Sequence, residues 1–184
     1  MIISKEIAKR KSVRAYLNKP VLTDDLARII EAGRWAPNAG PFQISVIRNH
    51  GLRQRINDRA RDAMVHSDNE FLQERASLPG YQPLYGAPVL ILLSGPLEDT
   101  FSAFNTALAA ENMLLEATGL GLGSCYLLSP TLALNGKDSR NLAQAAGIPD
   151  GYTLQCALIV GYAATENKFT DSARSRKGSV NYVD

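Results

Sequence analysis

The residues best able to do chemistry cluster near the start of the chain. Arg10-Lys-Ser-Val-Arg14-Ala-Tyr16 concentrates three cations and a hydroxyl in five residues. That set suits a phosphate, since guanidinium groups make charge-assisted bonds and Ser12 can add a short one. The bland reading of the same heptapeptide is a solvated basic turn. More cations, Arg174, Arg176 and Lys177, stand near the other end. Between them lie an irregular loop, Ala36-Pro-Asn-Ala-Gly-Pro41, fixed by its prolines, asparagine and glycine, and a glycine-flanked apolar strand, Gly123 to Ser129. One dispersed site could set the cations on a phosphate and the irregular backbone on a flat ring.

Conventional catalytic constellations find little support. His50 and His66 fall at the two ends of one polar helix, where both are expected to face solvent. No serine sits in a nucleophile-elbow context, and no Cys/His pairing or histidine–carboxylate cluster has catalytic or metal spacing. Asp24-Asp25 reads as helix capping. An enzyme built from these residues would rely on a bound cofactor. Gly119-Leu-Gly121-Leu-Gly123 invites comparison with a dinucleotide fingerprint, but that motif needs a strand before the glycines and a helix after them. Here the order is reversed, and the glycines read as a helix stop with one residue at positive φ.

The elements that must position these residues are organised around Phe101 to Leu128. At helical period Phe104, Ala107, Leu108, Met113, Leu114, Leu115 and Ala117 surround most of the axis. Only Asn105, Asn112 and Glu116 form a narrow polar stripe. A helix apolar nearly all round is expected to be buried. Before it, Ser4 is expected to cap a short helix to about Lys9. Thr23 with Asp24 and Asp25 starts a second helix, with Leu26, Ile29, Ile30 and Gly33 inward. Phe42 to Asn49 alternates as a strand. His50 to His66 reads as a charged surface helix that turns Leu52, Ile56, Ala60 and Ala63 inward. Ser67 to Gly86 is polar and Pro/Gly-bearing without a clear pattern, a length of connection that is usually functional or mobile. Pro88 to Ser94 and Tyr152 to Tyr162 are continuous apolar runs, read as strands covered on both faces. Cys125 to Leu128 is a short strand, and Asp138 to Ala146 a short helix. The tail, Ala163 to Asp184, has too little apolar content for a core of its own. It is either disordered or laid along another surface, such as a partner subunit.

Composition bounds the rest. The 184 residues, 45% hydrophobic and 21% charged, are expected to form one domain with a substantial core. A net charge of +2 with scattered arginines does not indicate nucleic acid. No apolar run approaches ~20 residues, so no membrane span is expected. The N-terminus lacks a signal-peptide h-region. Cys125 and Cys156 read as buried free thiols in a reducing cytoplasm. Alternating helices and strands give an α+β class, or α/β with a mixed sheet sandwiched by helices.

The ordered set of motifs resembles the FMN-dependent nitroreductase family along essentially the whole chain. The matching stretches are Arg10 to Tyr16, Ala36 to Gly40 with Gln43, Ala87-Pro-Val, Gly119 to Cys125, Leu158-Ile-Val-Gly-Tyr162 and Arg174-Ser-Arg-Lys177. The resemblance implies a three-layer α+β fold: a mixed central sheet flanked by helices, with a long central helix at a homodimer interface and FMN at that interface. It implies that Arg10, Ser12 and Arg14, with Lys11 beside them, hold the phosphate and ribityl chain, and that Arg174 and Arg176 complete phosphate binding. Pro37, Asn38 and Ala39 would reach the flavin from the other subunit. Leu127, Leu128 and Ser129 would lie against the isoalloxazine ring, with a backbone N–H towards N5. The implied reaction is ping-pong: NADH or NADPH gives hydride to the flavin, and a small-molecule acceptor such as a nitroaromatic or quinone takes it. No side-chain acid or base is required. Pro41, Ile44-Ser45 and Leu128 depart from the family pattern, which usually has Asn, Pro-Trp and, in many members, Glu there. Those departures keep open other flavin chemistry on the same fold (reductive dehalogenation, enone reduction, oxygen-dependent reactions), and the lack of any side-chain catalyst keeps open a non-catalytic FMN-binding module.

Overall fold

The structure is a computed structural model that describes residues 3–136, 138–165, 169 and 177–183. Its centre is a sheet of β1 (Gln43–Ile47), β2 (Val89–Pro96), β3 (Gly123–Leu127) and β4 (Tyr152–Gly161), in the order β1-β2-β4-β3. All three pairings are antiparallel. The parallel component of the expected mixed sheet is confined, among the described residues, to one bridge, Ser12 to Ser124. The two inner strands are the two continuous apolar runs. Val89, Ile91 and Leu93 of β2 face one layer, and Leu90 and Leu92 face the other.

The first layer holds α2 (Thr23–Arg34) and the long α5 (Ser102–Gly119). Leu26 and Ile29 of α2 pack with Ala109, Met113 and Ala117 of α5 against the sheet. Asp24 and Asp25 lie in the first turn of α2, where they favour the positive end of its dipole. The second layer holds α3 (His50–Val65), α6 (Ser129–Leu134) and α7 (Arg140–Ala145). Ile56 and Ala60 of α3 meet Ala133 and Leu134 of α6 there. The layers together are the expected three-layer α+β arrangement. A small third cluster joins Met64, Ala76 and Tyr81 at α4 (Glu70–Ser77).

Several local expectations change. Ser4 lies inside α1 (Ile3–Lys9) and does not cap it. On α3 the buried residues are Ile56, Asn57, Ala60 and Met64, while Leu52 and Ala63 are only half-buried. Asn57 is inside because its Oδ1 accepts the Leu84 N–H at 3.1 Å. The patternless 67–86 stretch contains α4, and α6 is a further unexpected helix.

The central helix is buried on one side only. Phe104 and Leu108 are 66% and 47% exposed, whereas Asn105 is 2% exposed. The polar stripe faces neighbouring structure. Asn105 Oδ1 accepts the Ala39 N–H at 2.9 Å, and Asn112 Nδ2 donates to the Ala32 carbonyl at 3.1 Å. Glu116 accepts from Arg28 at 2.7 Å. The apolar side left over faces outward.

The glycine run ends α5 as read. Leu122 N–H donates to the Ala117 carbonyl at 2.9 Å and Gly121 N–H to Thr118 at 3.0 Å, with Gly121 at φ +74°. This is a Schellman stop, and it delivers the chain directly into β3.

Candidate active site

The basic heptapeptide is fastened alongside the outer edge of β3. Val13 N–H donates to the Ser124 carbonyl at 2.9 Å, and Leu17 N–H to Tyr162 at 2.9 Å. This approach needs Gly123: a Cβ there would stand 2.9 Å from Val13 Cγ1. The heptapeptide is therefore ordered against the sheet and is not a free basic turn. Arg10 lies 3.8 Å from Glu111 of α5, Lys11 is exposed, and Ser12 bridges Ser124. The Ser124 hydroxyl is buried beside this segment without a hydrogen-bond partner among the described residues.

Arg14 turns into a cleft of about 650 Å³, where it meets Leu127, Leu128 and Ser129. Its Nη1 donates to the Phe169 carbonyl at 3.0 Å. Leu128 is 57% exposed at the mouth, where β3 passes into α6. Inside the sheet, burial pushes the Cys125 thiol up, against the smaller opposing effects of Arg14 and the Ser12 hydroxyl. The thiol is therefore held protonated and is not a nucleophile at neutral pH. Burial likewise raises Tyr16, whose hydroxyl donates to the Val13 carbonyl at 2.7 Å.

Pro37, Asn38 and Ala39 are not part of this cleft. They precede β1, at the opposite edge of the sheet, three strand spacings or roughly 14 Å from β3. Asn38 lines a separate cleft of about 450 Å³ with Arg34 and Gln43. The loop is held by Asn105 and by an Asn38 Nδ2 bond to the Ala36 carbonyl at 3.3 Å. Arg174 and Arg176 lie outside the described residues.

The sequence reading missed Arg75, Tyr81 and Tyr85, which line the main cleft together with Phe169. The available signal was Asn69 followed by Glu70, a helix start, with Leu72 and Ala76 four residues apart. Asn69 does cap α4, accepting the Leu72 N–H at 3.4 Å. The cleft can thus offer a planar ligand apolar walls and aromatic edges, and an anionic one a cation. Among the described lining residues there is no carboxylate to repel it.

The profile described as the nitroreductase family matches residues 7–162. A protein of Archaeoglobus fulgidus, provisionally named an NADH dehydrogenase/NAD(P)H nitroreductase, is 22% identical over 91% of this chain and 89% of its own. A Bacteroides fragilis nitroreductase solved with bound FMN superposes with a TM-score of 0.88 at 28% identity, covering 100% of both chains. An iodotyrosine deiodinase, solved with FMN and 3-iodo-L-tyrosine, shares the fold at a TM-score of 0.75, with 19% identity over 100% of this chain and 99% of that one. With some five-sixths of its length matched by that profile, the chain belongs to the nitroreductase family.

Proposed function

We propose that the protein is an FMN-dependent NAD(P)H oxidoreductase, working as a homodimer on nitroaromatic or quinone-like acceptors. The observation that carries this reading is the separation of two halves of a site. Arg14 and Leu127 to Ser129 share one cleft, while Pro37 to Ala39 stand at the far edge of the same sheet. A second copy, joined through α5, supplies the missing half to each. The surface for that union is the outward stripe Phe101, Phe104 and Leu108, with Trp35, 79% exposed, sharing a depression with Asn112 and Leu115 of the same helix. Contiguous exposed apolar side chains of this size mark an interface.

The donor set fits FMN. Arg10, Ser12 and Arg14, with Lys11 beside them, offer cations and a hydroxyl for the phosphate and ribityl chain, and the unpartnered Ser124 hydroxyl adds a polar group next to them. Arg174 and Arg176 would complete that set. Leu127 and Leu128 give a flat ring an apolar wall, and Ser129 begins the helix beyond it. Bound FMN would supply reversible two-electron transfer between a nicotinamide donor and an acceptor. The chain's part is to bind and orient the ring, to bring the loop from the partner, and to hold neighbouring thiol and phenol protons in place. No side chain is assigned as acid or base.

The FMN in the Bacteroides fragilis structure supports the cofactor, and the name of the Archaeoglobus fulgidus protein supports a nicotinamide donor. We treat residues 1–184 as one FMN-binding domain whose tail, 163–184, packs on the partner. Val180, Tyr182 and Val183 are 76%, 87% and 87% exposed, a set of apolar side chains in need of cover. A cytoplasmic setting fits the free thiols of Cys125 and Cys156, buried in the layers on opposite faces of the sheet. Among the described residues no helix is long and apolar enough to cross a membrane.

Leu128, a departure from the pattern the resemblance implies, favours a second reading on the same fold: reductive dehalogenation, for which the deiodinase likeness gives precedent. Reconstitution with FMN tests the main reading. One FMN per chain, a dimeric mass and NAD(P)H-driven reduction of a nitroaromatic are expected. Failure to take up FMN would contradict it. Faster turnover of a halophenol than of any nitroaromatic would favour the second reading.

A further inference from the structure

The unassigned walls of the main cleft come from α4 and the turn after it. Arg75 of α4 is half-buried there, and its Nη2 donates to the Tyr85 hydroxyl at 2.7 Å. Its guanidinium carbon stands 5.2 Å from the centre of the Tyr81 ring. The Tyr81, Tyr85 and Phe169 rings pack at centroid distances of 5.6 to 5.9 Å. Tyr85 has φ +51°, the one non-glycine positive φ among the described residues, so the fold retains a strained backbone to present this hydroxyl.

Two tyrosines thus fix the direction of Arg75, and no carboxylate pairs with it among the described residues. A guanidinium has five donors in a planar fork, more than this bracket consumes. Arg14 is differently occupied, bonded to the Phe169 carbonyl and continuous with the basic segment beside β3. Arg75 is therefore a second cation in the cleft, on a different element, held by tyrosines and with no carboxylate partner among the described residues.

We infer that Arg75, bracketed by Tyr81 and Tyr85, selects planar aromatic acceptors that carry an anionic group such as a carboxylate. The inference rests on the flavin reading of the same cleft. An aromatic ring finds tyrosine and phenylalanine edges, and its carboxylate finds the free side of a prealigned guanidinium. A neutral analogue of the same shape leaves that fork unused.

The test uses the FMN-loaded protein titrated with benzoate and with benzamide, which are not reduced, following the perturbation of the flavin spectrum. Turnover of 4-nitrobenzoate and 4-nitrobenzamide is measured beside it, and the FMN dissociation constant of every variant is determined. The wild-type protein is expected to prefer the anion by on the order of tenfold. The preference should shrink as salt is raised. Arg75→Gln should remove both the preference and its salt dependence, and Arg75→Lys should restore part. Tyr85→Phe keeps ring and charge but loses the anchor, and should weaken the preference severalfold. Equal binding of benzoate and benzamide by the wild type overturns this inference alone. So does an Arg75→Gln protein whose FMN affinity falls as far as its anion preference, because Arg75 would then serve the cofactor. Failure to take up FMN overturns the flavin reading and this inference with it.

Discussion

At position 123 the space for a side chain is already taken by Val13, 2.9 Å from where a Cβ would stand. Gly123→Ala should therefore push the basic segment off β3, costing about 1–3 kcal/mol as overpacking does. A thermal melt and an FMN titration check this, with loss of both stability and affinity expected. The tyrosines give a pH prediction. Burial first, then Tyr85, pushes Tyr81 up to about 12 from an ordinary 10.0, and burial also raises Tyr16 and Tyr126. Between pH about 10 and 12 the folded chain keeps protons that the unfolded chain has released. Stability contributed by these hydroxyls is thus full below pH 10 and is lost as pH rises through that window. Alkaline denaturation of Tyr81→Phe should show a shallower fall than the wild type. Arg10 to Arg14 were legible because their chemistry lies in consecutive residues. Arg75 was not, because its partners Tyr81 and Tyr85 are supplied by a turn that only the fold closes.

Among the elements, α5 shows how period can be read correctly and faces wrongly. Its extent and its glycine stop followed from the sequence, but the polar residues turned inward and the phenylalanine outward. Hydrophobicity counts Asn105 as solvent-seeking, yet a loop N–H that must be satisfied at Ala39 holds it inside. Asn105→Leu leaves that donor unpaired, and the loop should loosen. FMN affinity is expected to drop about tenfold with a modest change in melting temperature, consistent with a net loss of about 1–3 kcal/mol. Isothermal titration with FMN, alongside a melt, reads both. The two unexpected helices are short, and each leaves little periodic trace: α4 buries only Ala76, and α6 is six residues long. The inner strands were plain in the sequence because both their faces are covered, which forces an unbroken apolar run.

For the whole molecule, the sheet keeps Arg14 and the Pro37 to Ala39 loop apart, and in the proposed homodimer the exposed stripe on α5 would reunite them. Phe104→Asp with Leu108→Asp places two charges in that stripe without touching the cleft. The variant should elute as a monomer and bind FMN at least tenfold more weakly, as judged by light scattering and flavin fluorescence, since each charge must otherwise be desolvated. The outward stripe could be read from the sequence as an interface only through resemblance, because an outward apolar stripe and a buried one look alike in one dimension. The most direct measurement is anaerobic stopped-flow absorbance of the FMN-loaded protein mixed separately with NADH and NADPH. At least one donor is expected to bleach the flavin band at a rate matching steady-state turnover, and a nitroaromatic to restore it. A bound flavin that neither donor reduces would contradict the oxidoreductase reading.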